Sequence, residues 1–224
     1  MLVVIEGLDG SGKSTQLQLL QEHLRQRQMA YEYLHFPRLD TPLWGNLISR
    51  FLRGEFGDNH QVNPYLVALL YALDRNDARS LLQSWLEAGK LVVLDRYVNS
   101  NIAYQCAKFS SPEKQRELEQ WILSLEYGYY RLPRPDLNIF LDVPVAFVRQ
   151  QLTRQRQGSD RSYLKGNTDI HEADISFQEK VREMYLHLAH SDSSMKVISC
   201  AREDGSMLEP VKIFEKIKEL LNIN

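Results

Sequence analysis

Short apolar runs recur along this chain at wide intervals: Leu2–Ile5, Tyr31–Phe36, Leu91–Leu94, Leu137–Leu141 and Lys196–Ser199. Between them lie longer segments with helical periodicity. Near-continuous apolar strands alternating with helices predict an α/β fold whose mainly five-stranded parallel sheet is covered on both faces, a three-layer α/β/α arrangement. Helix boundaries are marked in several places. A helix of about Lys13 to Gln28 follows the first strand. Asn63 is placed to cap a helix with Pro64 at its first position, and Gly89 closes that long helix. Ser111-Pro112 opens another, with Leu118, Trp121, Ile122 and Leu125 on one face. The last predicted helix runs from about Glu209 to Leu221, with Val211, Phe214, Ile217, Leu220 and Leu221 as its apolar stripe. The chain shows no internal repeat and no linker-like stretch. Its least regular region, 153–170, is rich in Arg, Gly, Ser and Asp and reads as a lid loop on a single domain spanning 1–224.

Composition narrows the partners. With 224 residues, 43% of them hydrophobic and 25% charged, the chain is long enough for one large α/β domain and ordinary for a soluble globular protein. A formal net charge of −2 gives no support to a nucleic-acid or membrane-surface partner, so phosphate recognition has to come from local clusters. Cys106 and Cys200 are far apart and outside any C-x-x-C spacing, which fits two free thiols in a reducing compartment. The amino-terminal run has no basic flank and is short for a signal peptide, and no stretch approaches the ~18 apolar residues of a membrane span. A cytoplasmic location is expected.

The chemistry begins at Gly7-Leu8-Asp9-Gly10-Ser11-Gly12-Lys13-Ser14, which matches G-x-x-x-x-G-K-[ST] between a strand and a helix. Backbone N–H groups of such a loop curl around a β-phosphate at the positive end of the helix dipole. Lys13 would neutralise β- and γ-phosphate charge, the Ser14 hydroxyl would reach Mg²⁺, and Thr15 completes the ATP-side set. This is the P-loop NTPase arrangement. Leu91-Val92-Val93-Leu94-Asp95 is an apolar strand ending in a carboxylate. Ligands of open parallel sheets bind at the carboxyl ends of strands, so Asp95 would face the metal, through a bound water.

The residues that follow narrow the class. Asp95-Arg96-Tyr97, with Ser100-Asn101 and Ala103-Tyr104-Gln105 after it, resembles the D-R-[YH] segment of thymidylate kinases. His35-Phe36-Pro37-Arg38, Leu69-Leu70-Tyr71-Ala72-Leu73-Asp74-Arg75, and Pro135-Asp136-Leu137 through Phe140-Leu141-Asp142-Val143 resemble three further elements of that family, in order. Together with the P-loop they cover the chain to about Val143.

Tyr71 and Arg75 lie four residues apart, on one helix face. A ring that stacks and a guanidinium that donates to a carbonyl oxygen suit a pyrimidine base, and the resemblance assigns both to thymine. Arg38 and Arg96 would hold the acceptor's 5′-phosphate, because guanidinium forks match phosphate oxygens. The resemblance also implies that Asp9 contacts the acceptor's 3′-hydroxyl or lies near its phosphate and metal. It implies that Tyr104 crowds the 2′ position, that Phe36 and Ser100 line the acceptor site, and that Asn101 and Gln105 bond the base or sugar edge. Arg202 falls where the family's adenine-contacting loop lies. Some thymidylate kinases carry a catalytic arginine immediately after the P-loop acid; here that position is Gly10. The branch lacking it supplies the cation from the lid, and Arg154, Arg156 and Arg161 are the candidates, with Arg149 on the preceding helix. Lys13, Arg96 and Asp95 complete the catalytic set. Cys106, His35 and the other histidines show no ligand or nucleophile spacing and are expected to serve packing.

The resemblance thus implies transfer of the ATP γ-phosphate to dTMP, with Mg²⁺, by a homodimer. Other pyrimidine nucleosides or monophosphates are the alternative acceptors. A guanine-nucleotide switch would carry N-K-x-D, which is missing from the sequence.

Overall fold

In the computed structural model, residues 1–59, 61–153, 163–165, 169–172 and 174–223 are described. Strand β1 (Leu2–Gly7) is buried along its whole length because it has strands on both sides and helices on both faces. The other strands are β2 (Tyr31–His35), β3 (Leu91–Asp95), β4 (Leu137–Asp142) and β5 (Met195–Ser199), in the order β2-β3-β1-β4-β5. All pairings are parallel, and the register sets Ile5 beside Asp95 and His35 beside Asp95. The expected five-stranded parallel sheet is therefore present.

Around it lie α1 (Lys13–Gln26), α2 (Trp44–Leu52), α3 (Pro64–Asp77), α4 (Arg79–Glu87), α5 (Val98–Cys106) and α6 (Pro112–Leu123). A π-helical turn (Ser124–Tyr129) follows α6, and α7 (Val145–Thr153), α8 (Ile175–Ser191) and α9 (Pro210–Leu221) complete the described helices. Helices α1 and α9 pack on each other and on the sheet. Helix α5 packs on β1, with α3, α6 and α8 gathered around it. A main core surrounds the sheet, and a smaller cluster of Ile48, Phe51, Leu52 and Val67 joins α2 to α3 with Tyr71, Tyr163 and Ile170 against it. That second cluster is the floor of the cleft described below.

Local sequence explains most boundaries. The Asn63 side chain accepts the Tyr65 N–H at 2.9 Å, with Pro64 at the first helical position. At the end of α4, Gly89 takes a left-handed φ of 71°, its N–H bonding Leu86 O while Lys90 N–H bonds Trp85 O. This Schellman closure turns the chain into β3. The single helix expected between those signals is two. Arg38 Nη2 donates to the Asp74 carbonyl at 2.8 Å, and the Ala78 N–H shifts toward Arg75 O (3.1 Å) from Asp74 O (3.4 Å). A side chain inserted on the helix ladder breaks it there. In α9 the buried stripe is Ile213, Phe214, Ile217 and Leu221, and Val211, expected within it, is 57% exposed. Both cysteines are free and buried. No helix among the described residues is long and apolar enough to cross a membrane.

Candidate active site

The P-loop side is built from backbone. Gly7 ends β1 so tightly that an added Cβ would lie 2.7 Å from Ser11 Oγ, and Gly12 caps α1 with φ 84°. No acidic residue sits in the first turn of α1, so its positive end is left for an anion. Lys13 folds back over the loop, its Nζ donating to Gly7 O (3.3 Å) and Leu8 O (3.0 Å). Burial and the nearby Arg96 charge bring its pKa down to about 8, against the pull of Asp95 and Asp9. A bound polyphosphate would relieve that desolvated ammonium.

The side of the cavity opposite the P-loop is built from side chains that hold one another. Arg96 follows β3 at φ 66°, a backbone conformation uncommon outside glycine and concentrated at functional sites. Its guanidinium donates to Asp9 Oδ1 (2.7 Å), Tyr104 Oη (3.2 Å) and Ser100 Oγ (3.2 Å). Asp9 also accepts from Tyr104 Oη (2.9 Å) and Gln178 Nε2 (3.1 Å). Burial pushes the Asp9 pKa up, but the charges of Arg96 and Lys13 outweigh it and hold the carboxyl well below the usual carboxylate range. Beneath this group, the fully buried Glu6 accepts the N–H of Tyr97 and of Ser100 and the hydroxyls of Ser100 and Tyr185. Glu6 thereby caps α5, the helix that carries Ser100, Asn101, Tyr104 and Gln105.

Arg75 is 2% exposed and forms a two-pronged pair with Glu126, whose Oε1 also accepts Asn101 Nδ2 at 2.9 Å. Glu126 lies on the π-helical turn, a widening often found at functional sites, and that turn carries it to the inside. Arg38 is pinned in a similar way by α3. It donates to Asp74 Oδ1 (2.9 Å) and to Asp77 Oδ2 (2.6 Å). Asn101 Oδ1 and Gln105 Oε1 are buried and have no partner among the described residues.

Asp9 to Thr15, Phe36, Arg38, Tyr71, Arg75, Asp95, Arg96, Ser100, Asn101, Tyr104 and Gln105 all line one cavity of about 1140 Å³. That volume exceeds the usual range for a single small ligand. Gly7 and Leu8 lie beneath it and hold Lys13. Arg202 does not line it; it stands at a turn bridged from Ala201 to Met207 and pairs with Glu209 at 3.1 Å. Arg154, Arg156 and Arg161 lie outside the described residues. The described part of the lid docks on α2, with Arg53 donating to Tyr163 O (2.7 Å) and Ile170 N–H to Leu52 O (3.1 Å).

Two histidines expected only to pack are in the site. His35 bonds Asp95, and His171 lines the cavity with its ring against Tyr104 (5.1 Å), Phe51 and Phe177. Burial pushes its pKa down to about 3, so the ring is neutral. Asp169 also lines the cavity. Burial and the charge of Asp9 raise its carboxyl to about 7, against hydrogen bonds from Tyr163 and the His171 N–H. Glu6, Asp74, Asp77, Glu126 and Gln178 carried no local signal, because each matters through a partner distant in sequence. Asp169, bonded to the nearby Tyr163 and His171 N–H, lies in the irregular stretch, which has no periodicity to mark it.

For a metal, the fit is open rather than caged. Ser14 is exposed at the cavity, Asp95 Oδ1 is buried without a partner, and no cluster of three or more His, Cys, Asp or Glu exists among the described residues. Such a donor set suits Mg²⁺, which keeps waters and takes its other ligands from phosphates.

A parallel α/β sheet with a P-loop facing a second, arginine-lined recess across one cavity defines a nucleoside monophosphate kinase. The family model described as thymidylate kinase matches residues 5–209. This chain belongs to the thymidylate kinase family. It is 32% identical to a probable thymidylate kinase of Pyrococcus abyssi over 223 residues, 99% of this chain and 98% of the relative. It is 31% identical to the thymidylate kinase of Mycobacterium tuberculosis over 189 residues, 84% of this chain and 86% of the relative. Among solved structures, the thymidylate kinase of Candida albicans superposes with a TM-score of 0.72 at 27% identity, covering 99% of this chain and 90% of that one.

Proposed function

We propose that this protein transfers the γ-phosphoryl group of ATP to the 5′-phosphate of dTMP, giving dTDP and ADP. The observation that carries the reading is the single cavity that joins the P-loop to Tyr71, Asn101 and Gln105 by way of Arg96. The ATP phosphates would lie on the loop amides and Lys13. The acceptor base would stack on Tyr71, within reach of Arg75. The unpartnered oxygens of Asn101 and Gln105 can accept from a pyrimidine N–H, the N3–H of thymine or uracil or the N4 amino group of cytosine. Arg96, fixed by Asp9, Ser100 and Tyr104, would position the acceptor phosphate, with Arg38 contributing from its Asp74/Asp77 clasp. An oxygen of that phosphate attacks the γ-phosphorus, and the bond to the β,γ-bridging oxygen breaks as ADP leaves. The attacking phosphate is already largely ionised near neutral pH, so no general base is required. The protein's work is positioning and charge neutralisation.

Ser14 and Asp95 would hold Mg²⁺ beside the phosphates. Its chemistry there is the withdrawal of charge from the β- and γ-oxygens. The lid arginines Arg154, Arg156 and Arg161 would add cations to the transferred group, and closure would exclude water. Arg202 would approach adenine only if its turn moved away from Glu209. A homodimer is proposed from the family resemblance, with Leu66 of α3, 64% exposed, as an apolar residue open to a second copy. Two buried free thiols accord with a cytoplasmic location.

The test is ADP release in a coupled assay with Mg-ATP and dTMP, dUMP, dCMP, UMP, AMP or thymidine, with a no-acceptor control. A clear preference for dTMP, with dTDP as product, is expected. Turnover best with another acceptor would overturn the reading of Tyr71, Asn101 and Tyr104. Hydrolysis indifferent to every acceptor would leave only the P-loop assignment standing.

A further inference from the structure

His35 ends β2, and the parallel register sets it beside Asp95 at the end of β3. Its Nδ1 lies 3.0 Å from Asp95 Oδ2. An ionised carboxylate only accepts, so the imidazole donates and the proton is on Nδ1. Among the described residues this is the only hydrogen bond to that carboxylate, and its other oxygen, Oδ1, is buried and unpartnered. The two residues differ in exposure. The His35 side chain is 43% exposed and that of Asp95 only 8%. The imidazole is therefore a prop reaching in from the cavity wall rather than part of the packed interior.

The prop has a competitor. Lys13 and Arg96 stand near enough for their charges to act on Asp95. A carboxylate free to rotate would turn toward one of those cations, and a pairing with either would remove both an acceptor for the metal's water and a cation meant for phosphate. With Oδ2 held across the strand pair, Oδ1 is the oxygen left without a partner. Losing an outer partner that orients a metal-facing group typically costs about 10–100-fold in metal affinity or activity.

We propose that His35 is a positioning residue for the metal-bound donor nucleotide: its Nδ1–H fixes Asp95 so that Oδ1 faces the water shell of Mg·ATP. His35 acts here through Asp95 rather than on either substrate directly. The inference rests on the reading of Asp95 as the metal-side carboxylate. It also accounts for a histidine at a position where sequence spacing gave it no role.

The readout is the magnesium factor, the ratio of ATP dissociation constants in EDTA and in excess Mg²⁺, measured by titration calorimetry without acceptor. His35→Ala is expected to lose about tenfold of that factor, the lower end of the usual effect of removing an outer partner. Its ATP affinity in EDTA should stay unchanged, while the loss of the one hydrogen bond to the buried Asp95 carboxylate should lower the melting temperature modestly. His35→Asn places an N–H donor close to the Nδ1 position and should retain most of the factor. An unchanged factor in His35→Ala, or an equal loss of affinity with and without magnesium, would overturn the inference. Asp95→Asn separates the two layers. If it keeps the full factor, the reading of Asp95 falls and the inference with it. If it loses the factor and His35→Ala does not, only the role of His35 falls.

Discussion

The two halves of the cavity are made in different ways. The P-loop half is a contiguous loop with a tightly placed Gly7, a left-handed Gly12 and one lysine held by its own loop carbonyls. The acceptor half is a set of charged side chains from different elements, each held by a partner far along the chain. Arg75 and Glu126 are 51 residues apart, and Asp9 and Gln178 are 169 apart. A backbone cradle tolerates change around it as long as its loop closes. An interlocked set of ion pairs transmits the loss of any member to its neighbours, because a buried charge left alone is costly. Damage to the acceptor half should therefore appear in stability, and damage to the donor half in catalysis alone.

The sharpest way to break that contrast is Glu126→Ala. It would leave the Arg75 guanidinium, 2% exposed, without its carboxylate and remove an acceptor from Asn101. A loss of about 3–5 kcal/mol of stability is expected, the usual cost of breaking a buried pair from one side. Denaturant unfolding would read it, and a change below about 1 kcal/mol, the scale of an exposed pair, would mean that Arg75 is not held in this way. Lys13→Ala, on the donor side, should lower turnover at least about a hundredfold, the scale of removing one electrostatic stabiliser, while the melting temperature stays in place. Turnover near wild type would remove Lys13 from the catalytic set.

Two smaller effects sharpen the comparison. Folded Asp169 titrates at about 7, above the value of about 3.9 for an unfolded aspartate. The folded state thus binds the extra proton, and the contribution of this group to stability is complete below pH about 4 and lost as the pH rises to and through about 7. Asp169→Asn should flatten that part of the stability–pH curve, measured without ligand by denaturant midpoints from pH 5 to 8; an unaltered slope would assign the titration elsewhere. Gln105→Leu removes one unpartnered acceptor oxygen from the recess. It should raise the KM for dTMP severalfold to tenfold, the scale of one hydrogen bond, and leave the KM for ATP alone. An equal rise in both would show that the change is not local to the acceptor.

The same contrast explains what could be read from sequence. Strands were readable because buried parallel strands are continuous apolar runs, and the P-loop because its chemistry needs adjacent residues at fixed spacing. The family pattern brought the acceptor residues to one cavity, including Tyr71, Asn101 and Gln105. What it did not contain was their clasps. Helical spacing put Arg75 on the face of Tyr71 but said nothing of Glu126, buried on a π-helical turn 51 residues away. Arg38 was readable as a residue of the site, and it lines the cavity, yet its bond to the Asp74 carbonyl also splits the helix that the capping signals had joined. Val211 fell outside the buried face of α9 because periodicity alone does not fix which residue starts the contact. His35 lacked a visible role because cross-strand register is not a property of either strand alone.

The most direct test follows the label from [γ-³²P]ATP in single turnover with dTMP, comparing the wild-type protein with Arg96→Ala. Arg96 is the group that joins the halves, bonded to the P-loop acid Asp9 and to Tyr104 of the acceptor side. The expected result is label in dTDP for the wild type, and transfer at least about a hundredfold slower in the variant with ATP affinity kept. Labelled dTDP formed by Arg96→Ala at the wild-type rate would contradict the assignment of the phosphate bridge between the two halves.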